Sequence, residues 1–228
     1  MRLPLLITAA ALLASPAAAN DASHPTVVEL YQSQGCSSCP PAIANINKLA
    51  DRPDILPLTF AVTYWDQLGW KDTFARPEFT LRQWDFAHAG KRGNVATPQT
   101  IVNGRMVANG GDRDELIAAI RAADRGASGP TISKSGQMVR IGPGTAARPA
   151  TIWLVRYDAR PLNVPIRAGE NDGRTITHRN VVRSLSAIGT WTGKAVIVPA
   201  PAAADPNLRS AILIQSGTAG AILAAARL

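Results

Sequence analysis

The sequence predicts an α/β domain of element order β-α-β-α-β-β-α, followed by a smaller all-β, sandwich-like domain. Three observations carry that expectation. Strand-like runs at 26–31 and 55–62 bracket a helical pattern that begins at the only two cysteines, Cys36 and Cys39. An Asn103-Gly104 dipeptide, favoured in two-residue hairpin turns, separates two further short apolar runs before a last helical pattern. After the Gly-Ala-Ser-Gly-Pro stretch at 126–130 the helical periodicity gives way to short β-type runs at regular intervals.

The first 19 residues read as a signal peptide. Arg2 supplies a positive start, residues 3–13 an apolar run, and Ala17-Ala18-Ala19 a small-residue cleavage site before Asn20. The apolar run is shorter than the ~20 residues that span a bilayer. The mature chain is therefore expected in the periplasm or secreted, with no stable membrane span, where two cysteines can exist as a disulfide. The 228 residues carry a formal charge of +8. Their basic residues are scattered and do not alternate with aromatics, which argues against a nucleic-acid groove.

Residues 20–126 form the first predicted domain. The β-branched run at 26–31 reads as a strand, and Ile43, Ile46, Leu49 and Ala50 follow Cys36 at helical spacing. Pro40 and Pro41 fit the first turn of that helix, whose N–H groups lack helical partners. The run at 55–62 is apolar throughout, as in a strand buried on both faces. Strand, helix and strand make a parallel βαβ unit. Pro77, Phe79, Gln83, Phe86 and Ala87 outline a second helix. Residues 99–102 and 105–108 flank the Asn-Gly turn, and Asp112 caps a third helix bearing Leu116, Ile117 and Ile120.

Cys-x-x-Cys at a helix start has a specific chemistry. Exposed N–H groups and the helix dipole stabilise a thiolate on Cys36, and Cys39, one turn on, is placed to resolve a mixed disulfide. The reaction is thiol–disulfide exchange with protein or small-molecule thiols and disulfides, and needs no cofactor. Two alternatives stay open: a purely structural disulfide, and a Cu(I) or Zn site, for which no third ligand lies at a recognisable spacing. The loop after the second strand holds Tyr64, Trp65, Asp66 and Trp70 on the same side of the sheet as the cysteines. These residues suit a pocket wall with Asp66 carrying a proton near Cys39, or a packed loop in which the acids act as caps.

The element order resembles the thioredoxin fold. That resemblance implies a cis Pro98 against the cysteine pair, with the Thr97 backbone meeting an incoming disulfide. A trans proline at a strand edge is the alternative.

Longer motifs resemble a secreted bacterial family known as domain of unknown function 1223. They run from Glu29-Leu30-Tyr31 through Cys36-Ser37-Ser38-Cys39-Pro40-Pro41, then Tyr64-Trp65-Asp66 with Leu68-Gly69-Trp70-Lys71-Asp72. Thr97-Pro98-Gln99, Val102-Asn103-Gly104-Arg105 and Gly169-Glu170-Asn171 through Asn180-Val181-Val182-Arg183 complete them. Thr63 departs from the aspartate or similar polar residue usual there. The resemblance implies a thioredoxin-like first half and no defined activity.

Residues 130–228 form the second predicted domain, with strands at 138–141, 151–157, 162–167, 175–185, 195–198, 210–215 and 220–226. The polar stretch at 169–180 reads either as a cluster touching a partner or substrate, or as a tight turn whose Asn and Glu satisfy backbone groups. His178 reads as an exposed strand residue. The whole describes an exported thiol–disulfide oxidoreductase using Cys36 and Cys39. The alternatives are a non-catalytic binding module and a Cu(I) or Zn carrier.

Overall fold

The computed structural model describes residues 21–228, so the expected signal peptide at 1–19 lies outside the described residues. Strand β1 (Thr26–Gln32) and strand β2 (Ile55–Ala61) are buried along their whole length and pair in parallel, from Thr26 opposite Ile55 to Gln32 opposite Ala61. Helix α1 (Cys39–Leu49) joins them. It starts on two prolines and lays Cys39, Ala42, Ile43, Ile46 and Leu49 into the core. Helix α2 (Pro77–Ala89) covers the opposite face, where Phe79 and Phe86 meet Phe60 and Tyr31 edge-on.

Strand β3 (Gln99–Val102) continues the sheet antiparallel to β1, and β4 (Met106–Ala108) pairs antiparallel to β3. Asn103 and Gly104 turn between them with φ of 46° and 64°, the positive pair that an Asn-Gly hairpin adopts. Asn103 also ties the turn down: its side chain accepts the Val27 N–H at 2.9 Å and donates to the Ala123 carbonyl at 2.9 Å. Helix α3 (Arg113–Ala122) packs beside α1. Its cap is Asp112, whose carboxylate accepts from the N–H groups of Asp114 and Glu115.

The second half corrects the expected fold class. A thioredoxin-like α/β domain followed by a separate sandwich-like all-β domain is not what forms; one mixed eight-stranded sheet runs through both halves. Strands β5 (Ile132–Ser135) and β6 (Met138–Ile141) open the second half, and β7 (Ala150–Asp158) enters the large sheet. There follow β8 (Leu162–Pro165), β9 (Thr175–His178), β10 (Val181–Trp191), β11 (Val196–Pro199), β12 (Leu208–Ser216) and β13 (Ile222–Arg227). The large sheet has the order β13-β12-β7-β10-β2-β1-β3-β4; β11-β6-β5 and β8-β9 form two smaller ones. The physical reason lies at β2. Its outer edge is buried and apolar, and an unpaired edge there would leave backbone groups unsatisfied. Asn180 and β10 fill it: the Thr59 N–H donates to the Asn180 carbonyl at 2.9 Å, and Val181 lies opposite Thr59 in parallel register. The run read as one strand at 175–185 is broken at Asn180, whose φ is 51°.

The sheet then curls back on itself. The Ile222 N–H donates to the Asn103 carbonyl at 2.9 Å, and a Cβ on Gly104 would collide with the Gly220 carbonyl oxygen. The face holding α2 is thereby enclosed by β7, β12 and β13. Inside it lies a buried ion pair. Arg82 of α2 grips Glu29 of β1 with two hydrogen bonds, at 2.8 and 2.9 Å, and also donates to Gln215 of β12 at 3.0 Å. Tyr31 donates its hydroxyl to the same carboxylate, and the Arg82 guanidinium lies over the rings of Phe86 and Trp153. Among the described residues no helix is long and apolar enough to cross a membrane.

Candidate functional site

Cys36 and Cys39 are joined as a disulfide, their Cα atoms 5.4 Å apart, where β1 hands over to α1. The loop between them is short because Ser33 closes it: its carbonyl accepts the Cys36 N–H and its hydroxyl accepts the Gly35 N–H. Ser38, at the N-cap, makes no capping bond with its side chain. Its hydroxyl lies 3.4 Å from the Cys36 sulfur and donates to the Thr97 carbonyl at 3.5 Å. The Thr97–Pro98 peptide is cis. The chain thus brings Cys36, Cys39, Thr97 and Pro98 together from separate elements.

Trp65 and Trp70 complete the enclosure. The Trp65 indole N–H donates to the Thr97 hydroxyl at 2.7 Å, and the Trp70 indole N–H to the Gln34 side-chain carbonyl at 2.9 Å. Both rings pack on the cluster that contains the two cysteines. A Cβ added at Gly35 would sit 3.8 Å from the Trp65 Cβ, so this loop lies directly on the cysteine turn. Each cysteine is left 0% exposed. Tyr64 faces the other side of the sheet and donates to Gln83 at 3.3 Å.

Of the two readings the sequence left open for the loop's acids, the bonding fits the one in which they cap backbone groups. Asp66 accepts the Asp72 N–H within its own loop at 3.0 Å. The buried acid is Asp72, which accepts the Gln34 N–H at 2.7 Å and the Phe74 N–H at 2.8 Å. Burial outweighs these bonds and pushes its pKa up to about 6.

The residues that sequence reasoning did not place at the site come from the stretch at 169–174. The Asn171 side-chain amide is fully buried and donates to the Gln34 and Cys36 carbonyls, both at 2.9 Å. Arg174 donates to the Asn171 side-chain oxygen at 3.1 Å. Glu170 accepts the Ser37 N–H at 3.1 Å, so a carboxylate occupies a free donor at the start of α1, and hydrogen bonding from the Ser37 side chain, with this backbone bond second, holds its pKa below the usual range. Gly169, at φ 75°, permits this approach, since a Cβ there would come within 3.3 Å of the Trp70 Cβ. Backbone satisfaction is therefore the role of this stretch, but the groups satisfied belong to the cysteine loop. The motif at 169–171 was the one signal available in the sequence.

His178 is the second correction. It is buried, not exposed: it meets Phe74 edge-on, and neither ring nitrogen has a hydrogen-bond partner among the described residues. Burial, with the nearby Arg183 charge, drops its pKa to about 4, so it is neutral at physiological pH. Among the described residues no three His, Cys, Asp or Glu side chains converge as a metal-binding group.

A family model described as "Protein of unknown function (DUF1223)" matches residues 27–215. The fold is similar to the crystal structure of an Agrobacterium tumefaciens protein from a structural-genomics programme. That similarity has 31% identity and a TM-score of 0.72, over 89% of this chain and 93% of that one. It is also similar to HBP35 of Porphyromonas gingivalis, with 11% identity and a TM-score of 0.58, over 90% of this chain and 75% of that one; this shows a shared fold alone. No curated protein matches the sequence.

Proposed function

This chain belongs to the DUF1223 family, and from that premise we propose that it is an exported thiol–disulfide oxidoreductase acting through Cys36 and Cys39. In the reducing direction, the Cys36 thiolate attacks one sulfur of a substrate disulfide. A Cys36–substrate bond forms, and the other substrate sulfur leaves as a thiolate and takes a proton from water. Cys39 then gives up its proton, attacks the Cys36 sulfur and expels the second substrate thiol. Two electrons pass to the substrate, and the Cys36–Cys39 bond is restored. The reverse sequence oxidises a dithiol.

The observation that carries the reading is the placement of this disulfide at a helix N-terminus, with the Thr97 carbonyl one hydroxyl away. Thr97 serves in this proposal as the backbone on which the substrate chain docks. Trp65 and Trp70 must lift for a substrate sulfur to reach Cys36, because both cysteines are enclosed. That enclosure favours a second reading, in which the disulfide fastens a loop of a non-catalytic binding module.

A redox titration against glutathione, with mixed-disulfide trapping by the Cys39→Ser variant, tests the proposal. A defined potential for the pair and a trapped adduct on Cys36 are expected. A pair that exchanges only on unfolding, with no adduct in Cys39→Ser, overturns the oxidoreductase reading and leaves the binding module. Stoichiometric Cu(I) uptake by the reduced protein, without exchange, overturns it in favour of a metal carrier.

A further inference from the structure

A second cavity lies at the other end of the sheet. Strand β1 begins beside Asn103 and ends at the cysteine loop, a run of seven residues, roughly 20 Å when extended. Around its Asn103 end, α2's last turn, the β3–β4 turn and the β12–β13 turn enclose a cleft of about 460 Å³. Phe86, Ile101 and Ala219, otherwise core residues, form an apolar lining together with the partly exposed Val107. Three arginines ring it: Arg92 after α2, Arg105 after the hairpin turn, and Arg148 before β7.

No aspartate or glutamate lines this cleft. Among the ion pairs of the described residues none involves Arg92, Arg105 or Arg148. An arginine-rich cavity beside Asp51 differs: there Arg179 pairs with Asp51, and Arg160 with Asp158. Arg148 is held in place. Its Nε donates to the Ser216 hydroxyl at 2.9 Å, and its guanidinium lies over glycines 217 and 220, where a Cβ at 220 would sit 2.8 Å from Nη2. That bond leaves the remaining guanidinium N–H groups of Arg148 free of any described partner. Three like charges around one concavity raise its potential and repel one another unless an anion enters. A planar guanidinium matches a carboxylate with two parallel hydrogen bonds. The volume falls in the range of small-molecule pockets, and the apolar lining requires more than a bare anion.

We propose that this cleft binds a small organic anion that joins an apolar body to a carboxylate head. The apolar body lies on Phe86, Ile101 and Val107, and the carboxylate meets Arg105 and Arg148, with Arg92 closing the rim. The site is separate from the disulfide and does not depend on the redox reading.

Isothermal titration at low ionic strength with 2-naphthoate tests it, with 2-naphthol and inorganic phosphate as companion arms. Saturable one-to-one binding of 2-naphthoate is expected, at least tenfold tighter than either companion. Arg105→Gln/Arg148→Gln should weaken it at least tenfold, and Val107→Glu, at a partly exposed position, should do the same by placing a carboxylate in the cleft. Arg209→Gln, in the cavity beside Asp51, and Cys36→Ser/Cys39→Ser should both bind as the unaltered protein does. Absence of saturable 2-naphthoate binding overturns the proposal. So does phosphate or 2-naphthol binding as tightly, or full binding by Val107→Glu.

Discussion

Asn171→Ala removes one side chain from the second half and should loosen the cysteine loop in the first. The Asn171 amide donates to two carbonyls, those of Gln34 and Cys36, in a site closed to water. A buried acceptor left without a donor costs about 1–3 kcal/mol. The Cys36 carbonyl keeps its bond from the Cys39 N–H at 3.1 Å and so falls at the lower end. The Gln34 carbonyl has no other donor among the described residues and falls at the upper end. The sum is about 2–4 kcal/mol, a large part of the roughly 5–15 kcal/mol that holds a domain folded.

The loss is concentrated on residues 34–36, so local opening of the disulfide should become easier than global unfolding. If opening limits reduction, 2 kcal/mol corresponds to about a thirtyfold faster reaction with dithiothreitol. Urea unfolding gives the stability, and free-thiol appearance under native conditions gives the reduction rate. Asn171→Asp is the sharper comparison: it keeps the shape, donates nothing and sets a charge against two carbonyls, so it should destabilise at least as much. Asn171→Ala within 0.5 kcal/mol of the parent, a threshold set by ordinary surface substitutions, with an unchanged reduction rate, would refute the idea that this residue holds the loop.

Three further outcomes are expected. Arg82→Met strands the Glu29 carboxylate in the core and should cost about 3–5 kcal/mol in urea unfolding, while Glu29→Gln/Arg82→Met should recover a good part of it. His178 has its folded pKa lowered from 6.5 to about 4, so the unfolded chain binds the extra proton between those values. Its contribution is complete above about pH 6.5 and is lost as pH falls towards 4. Asp72, raised from 3.8 to about 6, acts oppositely and loses stability as pH rises through that window. Unfolding measured from pH 4 to 6.5 should therefore be nearly flat in the parent and should fall with rising pH in His178→Phe; parallel profiles would dismiss the assignment. Glu170→Gln removes a carboxylate from the start of α1, so the Cys36 thiol of the reduced protein should titrate lower than in the parent, read by thiolate absorbance. An unchanged or higher titration would show that Glu170 does not act on that thiol.

Much of the first half was legible because its signals are local. Pro40 and Pro41 after the cysteines, the positive-φ preference of Asn103-Gly104 and the Asp112 cap each act within a few residues of themselves. The structure has the predicted element order there, and the Thr97 carbonyl accepts a hydrogen bond from Ser38, between the two cysteines. His178 was misjudged because alternation along a short strand does not reveal which face meets the core, and Phe74, itself overlain by Arg183, covers it from elsewhere. For the acids of the loop at 64–72 the sequence left a proton carrier and a backbone cap both open, and only the loop's internal bonding showed capping, with Asp72 in the buried position.

By itself, then, the sequence determined where helices and strands begin, which residues turn, and that a cysteine pair opens a helix. Only the tertiary structure decided that β10 completes the buried edge of β2, that Arg82 meets Glu29, and that Asn171 holds a loop lying 135 and 137 residues earlier. The reason is physical. Periodicity reports that a strand is buried, not which strand satisfies its edge, and a buried amide or carboxylate finds its partner only when the chain has closed around it.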